Sequence, residues 1–447
     1  MSARLSFPRI ADIGRFLLGG ILALLVVEVG LRVIELTPLW RILPVVQPIP
    51  GQPDKDFGFE STPGARGVWT TEHRAPLQIN SLGLRDVERE LAKPAGTLRV
   101  GLLGDSMVEG AQVSQEANFA ALAERRLRAK GYKVELINLA IAGPSPIRQL
   151  WRLEGRGYPL NLDLVLANSA AGSFLSGALL DDSENPAYVP KANGQLAIGY
   201  GFRQRFSHRH SEDLLGRLFV ALYQSSPVVR ILYLRSKEPW SVLLGLPSAP
   251  SVPQRPALAV PTPASDAARV GCERATAALE PMIDLWRDHR PELLWAATAR
   301  FLDDLAQSAR SHGVRVLYAV RDIPLPPGDC AAASVRADLL AHMQREFTSR
   351  GIRLIDWSSL VAEVAGGPAK VPQLHGFGIH RGAGHLNYDG HRAWATALIE
   401  VLRRQLPLDA PSRDSSQAIA PAHASGGSFV GQGSETLTRC AVLISLT

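Results

Sequence analysis

A serine in the first third of the chain and a histidine near its far end are the residues best placed for chemistry. Ser106 lies in GLLGDSMVEG, directly after TLRVGLL, a run typical of a buried parallel strand. At the carboxyl end of such a strand, a serine hydroxyl meets solvent beside a helix N-terminus, and its own N–H can donate to an oxyanion. A Gly-Asp-Ser triplet also occurs in plain strand-to-helix turns. The second residue is therefore important: His385, in GAGHLNYDGH, comes just ahead of the last helical pattern.

Four segments, in chain order, resemble the sequence blocks of the SGNH (GDSL) hydrolase superfamily. They are GDSMVEG, INLAIAGPS, LDLVLANSAAGSF and HLNYDGH, and QINSLGLRD upstream is similar to its membrane-anchored bacterial branch. The resemblance covers about 80–180 and 292–402. It implies that Ser106 is the nucleophile, that His385 is the base, and that the N–H groups of Ser106 and Gly143 form an oxyanion hole. No metal or organic cofactor is implied, since an activated serine needs neither.

The sequence differs from the family's pattern at the acidic residue that orients the histidine. The family has an aspartate two or three residues before the histidine, whereas this chain has Ala383 and Gly382. A backbone carbonyl near Ala383 or another carboxylate can orient an imidazole instead. Asp389 is near in sequence, although its position suits the first turn of a helix better. Asp356, at the end of a predicted strand, is the other candidate.

A second departure concerns the third oxyanion donor. The family supplies an Asn there, in a G-x-N-D block, and the best alignment of LDLVLANSAAGSF places Ser173 at that position. Asn168 lies five residues earlier, on the predicted strand, and is expected to be out of reach. Ser173 is therefore the predicted third donor.

Other polar residues near these motifs are predicted to be structural. His391 is expected inside the last helix, and Asp105 in the turn before Ser106. His375 and His380 flank a Gly-rich segment without a carboxylate or cysteine at ligand spacing, so a loop is favoured over a metal site.

Alternating strand and helix patterns predict an α/β fold with a three-layer, doubly wound parallel sheet of about five strands, SGNH- or flavodoxin-like. The predicted strands are 97–103, 134–142, 162–167, 314–320 and 352–356. Predicted helices lie between them, and the last covers about 388–404. The hydrolase-like domain is expected over 80–407, with a helical and Pro-rich insertion at about 180–290. Extra helices packed on the core are the favoured interpretation of the insertion; a lid, a partner surface and a membrane-facing cap are the alternatives.

The N-terminal segment 13–36 is predicted to be a transmembrane anchor. It is apolar from Phe16 to Val27, long enough to cross a bilayer, and follows three arginines. The positive-inside bias then places residues 1–12 in the cytoplasm and the main body in the periplasm or outside the cell. A cleaved signal peptide competes with this interpretation, but no small-x-small cleavage site follows the apolar run. Residues 37–79 are predicted to be an extended linker, and 408–447 a disordered tail.

The amino-acid composition excludes several classes of protein and partner, and the three cysteines allow one disulfide. Of the 447 residues, 46% are hydrophobic and 20% charged, which excludes a fully disordered chain or a multi-span transporter. The net charge of +6 comes from scattered arginines, so nucleic acid is not an expected partner. Cys272 and Cys330 can pair in an oxidising compartment, while Cys440 lies in the tail.

Two classes of function follow. The first is a membrane-anchored serine esterase or O-acyltransferase that acts on acylated envelope glycans or lipids, in one variant fed by a partner membrane protein. The second is a catalytically silent protein of the same fold that binds an envelope glycan or an assembly partner, motivated by Ala383 and Ser173.

Overall fold

A five-stranded parallel sheet forms the centre of the protein in a computed structural model. The structure describes residues 10–37, 51–69, 72–143, 145–175, 178–204, 213–229, 231–232, 264–287, 292–326 and 330–405. The strands of these residues are β1 Gly51–Asp54, β2 Gly58–Ser61, β3 Arg66–Trp69, β4 Ala75–Gln78, β5 Leu98–Gly104, β6 Val134–Asn138, β7 Leu164–Ala170, β8 Ala187–Pro190, β9 Leu196–Gly199, β10 Arg315–Arg321 and β11 Arg353–Asp356. The principal helices are α1 Ile10–Leu36, α2 Ser106–Glu109, α3 Phe119–Arg128, α4 Pro146–Arg152, α5 Gly172–Leu175, α6 Leu214–Ser225, α7 Ala264–Trp286, α8 Glu292–Ser311, α9 Ala332–Ser349, α10 Trp357–Ala365 and α11 Tyr388–Gln405.

The sheet confirms the predicted doubly wound topology. Its strands lie in the order β11, β10, β7, β5, β6, and each neighbouring pair is parallel. The chain moves from β5 outward to β6 and then returns to the other side of β5 at β7. The strand order therefore reverses beside β5, and in open α/β sheets ligands bind at the carboxyl ends of the strands at such a point.

Alternating side chains of the central strands bury both faces of the sheet. Leu164 and Leu166 of β7 pack in the core with α3, α10 and α11, whereas Val165 and Ala167 pack in the core with α7, α8 and α9. A strand buried on both faces has a nearly continuous apolar sequence, which explains why these strands could be predicted. The predicted three-layer α/β arrangement is therefore confirmed.

The segment before this domain differs from its prediction as a linker. β1 pairs with β2 and β3 with β4 in two antiparallel hairpins, and Val68, Ala75 and Leu77 are buried. A buried ion pair between Glu60 of β2 and Arg152 of α4 connects the first hairpin to the main domain. The prediction of an extended linker over 37–79 is wrong for the described residues from Gly51 onward, because their apolar side chains join the core.

The predicted insertion contains both core and surface elements. Leu279 and Leu285 of α7 are buried in the core shared with α8 and α9, as expected for an extra helix packed on the domain. Cys272 of α7 forms a disulfide with Cys330, which precedes α9. β8 and β9 form an antiparallel hairpin, and α6 exposes all four of its leucines. Residues 233–263, which include the Pro-rich part of the predicted insertion, lie outside the described residues.

One helix at the N-terminus is long and apolar enough to span a membrane. Within α1, the apolar span Gly14–Ile34 has 21 residues and is almost entirely exposed on the protein surface. A signal sequence has the same properties. Residues 1–9 of the predicted cytoplasmic segment, and the predicted tail 408–447 with Cys440, lie outside the described residues.

Candidate active site

The turn after β5 presents Ser106 at the start of a short helix. Asp105 caps this helix, because its carboxylate accepts a hydrogen bond of 3.0 Å from the N–H of Met107. The same carboxylate pairs with Arg321 of β10 at 2.5 Å. Asp105 therefore fixes the turn that carries Ser106, as predicted, and both of its oxygens are engaged away from the serine.

His385 meets Ser106 across the carboxyl edge of the sheet. Its Nε2 lies 2.8 Å from the Oγ of Ser106, although the two residues are 279 positions apart in sequence. The loop before α11 that carries His385 is held by His375, whose Nδ1–H donates to the carbonyl of Gly384 at 3.0 Å. The two residues predicted to form the reactive pair are therefore in hydrogen-bond contact.

Glu72 supplies the carboxylate that the sequence motif lacks. Its Oε1 lies 2.8 Å from Nδ1 of His385, and its Oε2 accepts a bond of 3.0 Å from the backbone N–H of His385. With Nδ1 protonated toward Glu72, Nε2 is free to accept the Ser106 hydroxyl proton. The side chains of His385 and Glu72 are 25% and 28% exposed, so the chain of three groups borders solvent.

Glu72 lies in the connection between β3 and β4, in a conformation with φ of 66°. Glu72 could not be predicted from the sequence, because no motif surrounds it and its segment resembles a linker. Aromatic contacts connect this segment to the loop of His385. His73 stacks on Phe377 with ring centroids 4.3 Å apart, and its ring meets Tyr388 edge-on. Burial lowers the pKa of His73.

Neither aspartate proposed from sequence orients His385. Asp389 pairs with Arg381 at 3.0 Å and also with Arg392. Asp356 caps α10 through the N–H of Ser359 at 3.1 Å and pairs with Arg336. Asp389 occupies the first turn of α11, which is the position that the sequence favoured for it.

The loop after β6 that contains Gly143 is braced by a buried carboxylate. Glu109, at the end of α2, accepts a hydrogen bond of 2.9 Å from the N–H of Ala142. Arg148 donates to the carbonyl of Ala142 at 3.0 Å. Gly143 itself has φ of 115°, a left-handed conformation that favours glycine. These contacts fix the orientation of the peptide groups next to Gly143.

Burial of Glu109 has a further electrostatic effect. Burial raises the pKa of the Glu109 carboxyl, while the positive charges of Arg85, Arg152 and Arg148 oppose that rise. Arg85 is also buried, and burial lowers the pKa of its guanidinium to about 10. The three arginines therefore offset part of the cost of burying the Glu109 carboxylate.

The third predicted donor, Ser173, lies in α5, just beyond β7, and is buried. Asn168 on β7 accepts a hydrogen bond of 2.9 Å from Arg321, so its carbonyl oxygen is occupied. The roles of Ser106, Gly143 and Ser173 as oxyanion donors remain predictions.

His391 is buried inside α11, in agreement with the structural role expected for it. Its Nδ1 accepts a bond of 3.2 Å from the N–H of Phe119, and its Nε2 has no hydrogen-bond partner among the described residues. Burial, with smaller contributions from nearby Arg85 and His385, lowers the pKa of His391 to about 3. Within the described ranges, no three His, Cys, Asp or Glu side chains are grouped so that they can hold a metal ion.

Comparison with known proteins gives matches among solved structures. No family model and no curated protein matches the chain. The structure is similar to that of TesA, with a TM-score of 0.33 and 13% identity, covering 69% of this chain and 99% of that one. It is similar to the esterase EstA from a Pseudoalteromonas species, with a TM-score of 0.31 and 10% identity, covering 68% and 97% of the two chains. A GDSL-like lipase from Bacteroides thetaiotaomicron matches with a TM-score of 0.30 and 10% identity, over 69% and 89%.

Proposed function

We propose that this protein is an SGNH-type serine hydrolase that cleaves or transfers acyl esters. The observation that carries the proposal is the chain of contacts from Glu72 through His385 to Ser106, with 2.8 Å on each side of the imidazole. A nucleophile in contact with a base, and a base held by a carboxylate, is the arrangement that activates a serine.

The proposed reaction follows from the direction of these contacts. The Oγ of Ser106 attacks the ester carbonyl while Nε2 of His385 takes the hydroxyl proton. The tetrahedral intermediate collapses to an acyl-serine, and the proton passes from His385 to the departing alcohol. Glu72 keeps the imidazole in the productive tautomer and stabilises it while it is positively charged. The N–H groups of Ser106 and Gly143, with Ser173 as a third donor, would hold the oxyanion.

The group that attacks the acyl-serine in the second half of the reaction determines whether the protein is an esterase or an O-acyltransferase. When water attacks the acyl-serine, activated by His385, the protein is an esterase. When a sugar hydroxyl attacks, it is an O-acyltransferase, which a partner membrane protein can supply with acyl groups. The proposed substrates are acylated glycans or lipids of the cell envelope, because the proposed anchor α1 would hold the domain in the periplasm or outside the cell.

The competing proposal of a catalytically silent binding protein is motivated by Ala383 and Ser173. For the first of these, Glu72 contacts Nδ1 of His385, which is the contact that an acid at residue 382 or 383 would make. We therefore favour the enzyme, and the binding role becomes an outcome of the test.

The test is covalent labelling of the full chain in detergent with a fluorophosphonate probe. Wild type should label, Ser106→Ala and His385→Ala should not, and Ser114→Ala should label like wild type, since the Ser114 side chain makes no cap hydrogen bond. Folding of each variant is checked by circular dichroism. Absence of labelling in folded wild type would overturn the proposal and favour the binding protein.

A further inference from the structure

The helix α6 presents an unusually apolar face. Leu214, Leu215, Leu218 and Leu222 lie on one side of the helix by their spacing, and their side chains are between 46% and 82% exposed. Arg217 is also exposed, on the flank of this face. Exposed apolar surface of this extent is uncommon on a soluble protein and indicates that the face is covered by something else.

Contacts with α1 indicate what covers it. Glu28 of α1 accepts a hydrogen bond of 2.7 Å from the hydroxyl of Ser226 and one of 3.2 Å from the N–H of Val228. Arg32 of α1 donates to the carbonyl of Ser225 at 2.6 Å. The carboxyl end of α6 is therefore attached to the last two turns of the apolar span Gly14–Ile34.

This attachment places the carboxyl end of α6 beside a helix that our proposed function places in lipid. α6 has 12 residues and so is about 18 Å long, shorter than the roughly 30 Å of bilayer hydrocarbon. It is too short to cross the membrane alone. A helix of this length with one leucine face and an arginine beside it suits the boundary between headgroups and acyl chains.

We infer that α6 is a membrane-surface helix whose leucines insert among the acyl chains of the leaflet next to Glu28. The inference rests on the proposed anchoring by α1. It gives the insertion a definite role: α6 holds the hydrolase-like domain against the membrane at a second point, in addition to the anchor.

The test uses spin labels on the full chain in vesicles of phosphatidylcholine and phosphatidylglycerol. The background variant Cys440→Ser retains the Cys272–Cys330 disulfide and gives single labelling sites. Labels are placed on α6 by Leu218→Cys and, as a second site in case the first perturbs folding, by Leu214→Cys. Arg217→Cys is the matched control on the same helix, and Val26→Cys, an exposed site in the middle of α1, reports anchoring itself.

The outcomes are distinguished by the rates at which each spin label collides with two reagents. Oxygen concentrates in lipid, whereas a nickel chelate stays in water. We expect the ratio of oxygen to nickel collisions at 218 and 214 to exceed the ratio at 217 several-fold. A lipid-type ratio at 26 with a water-type ratio at 218 and 214 would overturn the inference and leave the anchor intact. Protection of 218 and 214 from both reagents would also overturn it, because protein would then cover the face. A water-type ratio at 26 would overturn anchoring and the inference together.

Discussion

The carboxylate of Glu72 contacts both the Nδ1 and the backbone N–H of His385, at 2.8 and 3.0 Å, across 313 positions of sequence. One side chain therefore fixes both the rotation of the imidazole and the path of the loop that carries it. A carboxylate two residues before the histidine would depend on the loop for its own position, whereas Glu72 approaches from a separate hairpin. In this protein, the orientation of the proposed base depends on the segment between α1 and the main sheet.

Replacing Glu72 should therefore abolish most of the proposed activity without removing the nucleophile. For Glu72→Gln and Glu72→Ala, we expect kcat for an activated ester to fall by up to about 10⁴-fold, the order seen when a triad carboxylate is disabled, with little change in KM. Steady-state hydrolysis of an aryl ester measures this loss. Glu90→Gln, which changes another exposed carboxylate, should behave like wild type. Full activity of folded Glu72→Gln would show that another group orients His385.

An aspartate at the family position should partly replace Glu72. In the Glu72→Ala background, Ala383→Asp is expected to raise kcat at least tenfold, because it places a carboxylate two residues before His385. In wild type the same substitution should give little or no gain, since Nδ1 is already bonded. The four proteins form a double-mutant cycle, which isolates the interaction between the two positions. Equal effects of Ala383→Asp in both backgrounds would contradict the explanation.

The difference between what sequence could and could not predict has a physical origin. The five strands, Ser106 and His385 were predictable because apolar runs and local motifs carry their signal within about ten residues. Glu72 had no such signal: its hairpin consists of four-residue strands, and only the folded chain brings it to His385. The pairing of α6 with α1 is likewise a contact between distant segments, so the sequence predicted only a helical and Pro-rich insertion there.

Glu109 should be necessary for both stability and activity. Glu109→Ala removes the acceptor of the Ala142 N–H and one of the negative charges near buried Arg85. Losing a hydrogen bond to a charged group costs about 1.5–3 kcal/mol of unfolding free energy. We expect a loss of this size in urea denaturation, and a smaller one for Glu109→Gln, which retains an amide oxygen as acceptor. The Gln variant should also have a lower kcat, because the loop that contains Gly143 is held less rigidly. Unchanged stability and kcat in both variants would contradict the bracing role.

His391 should make the folded protein sensitive to acid. Its Nδ1 accepts from Phe119, and burial lowers its pKa from the usual 6.5 to about 3. Between these two values the unfolded chain binds a proton that the folded protein does not, so stability from this group is complete above pH 6.5 and declines as the pH falls toward 3. The loss is about 1.4 kcal/mol for each pH unit in that window. His391→Asn keeps an acceptor for the Phe119 N–H without a titrating group. Urea denaturation at pH 7 and pH 5 should therefore show wild type losing about 2 kcal/mol more than the variant. An equal loss in both proteins would show that other groups dominate acid sensitivity in this range.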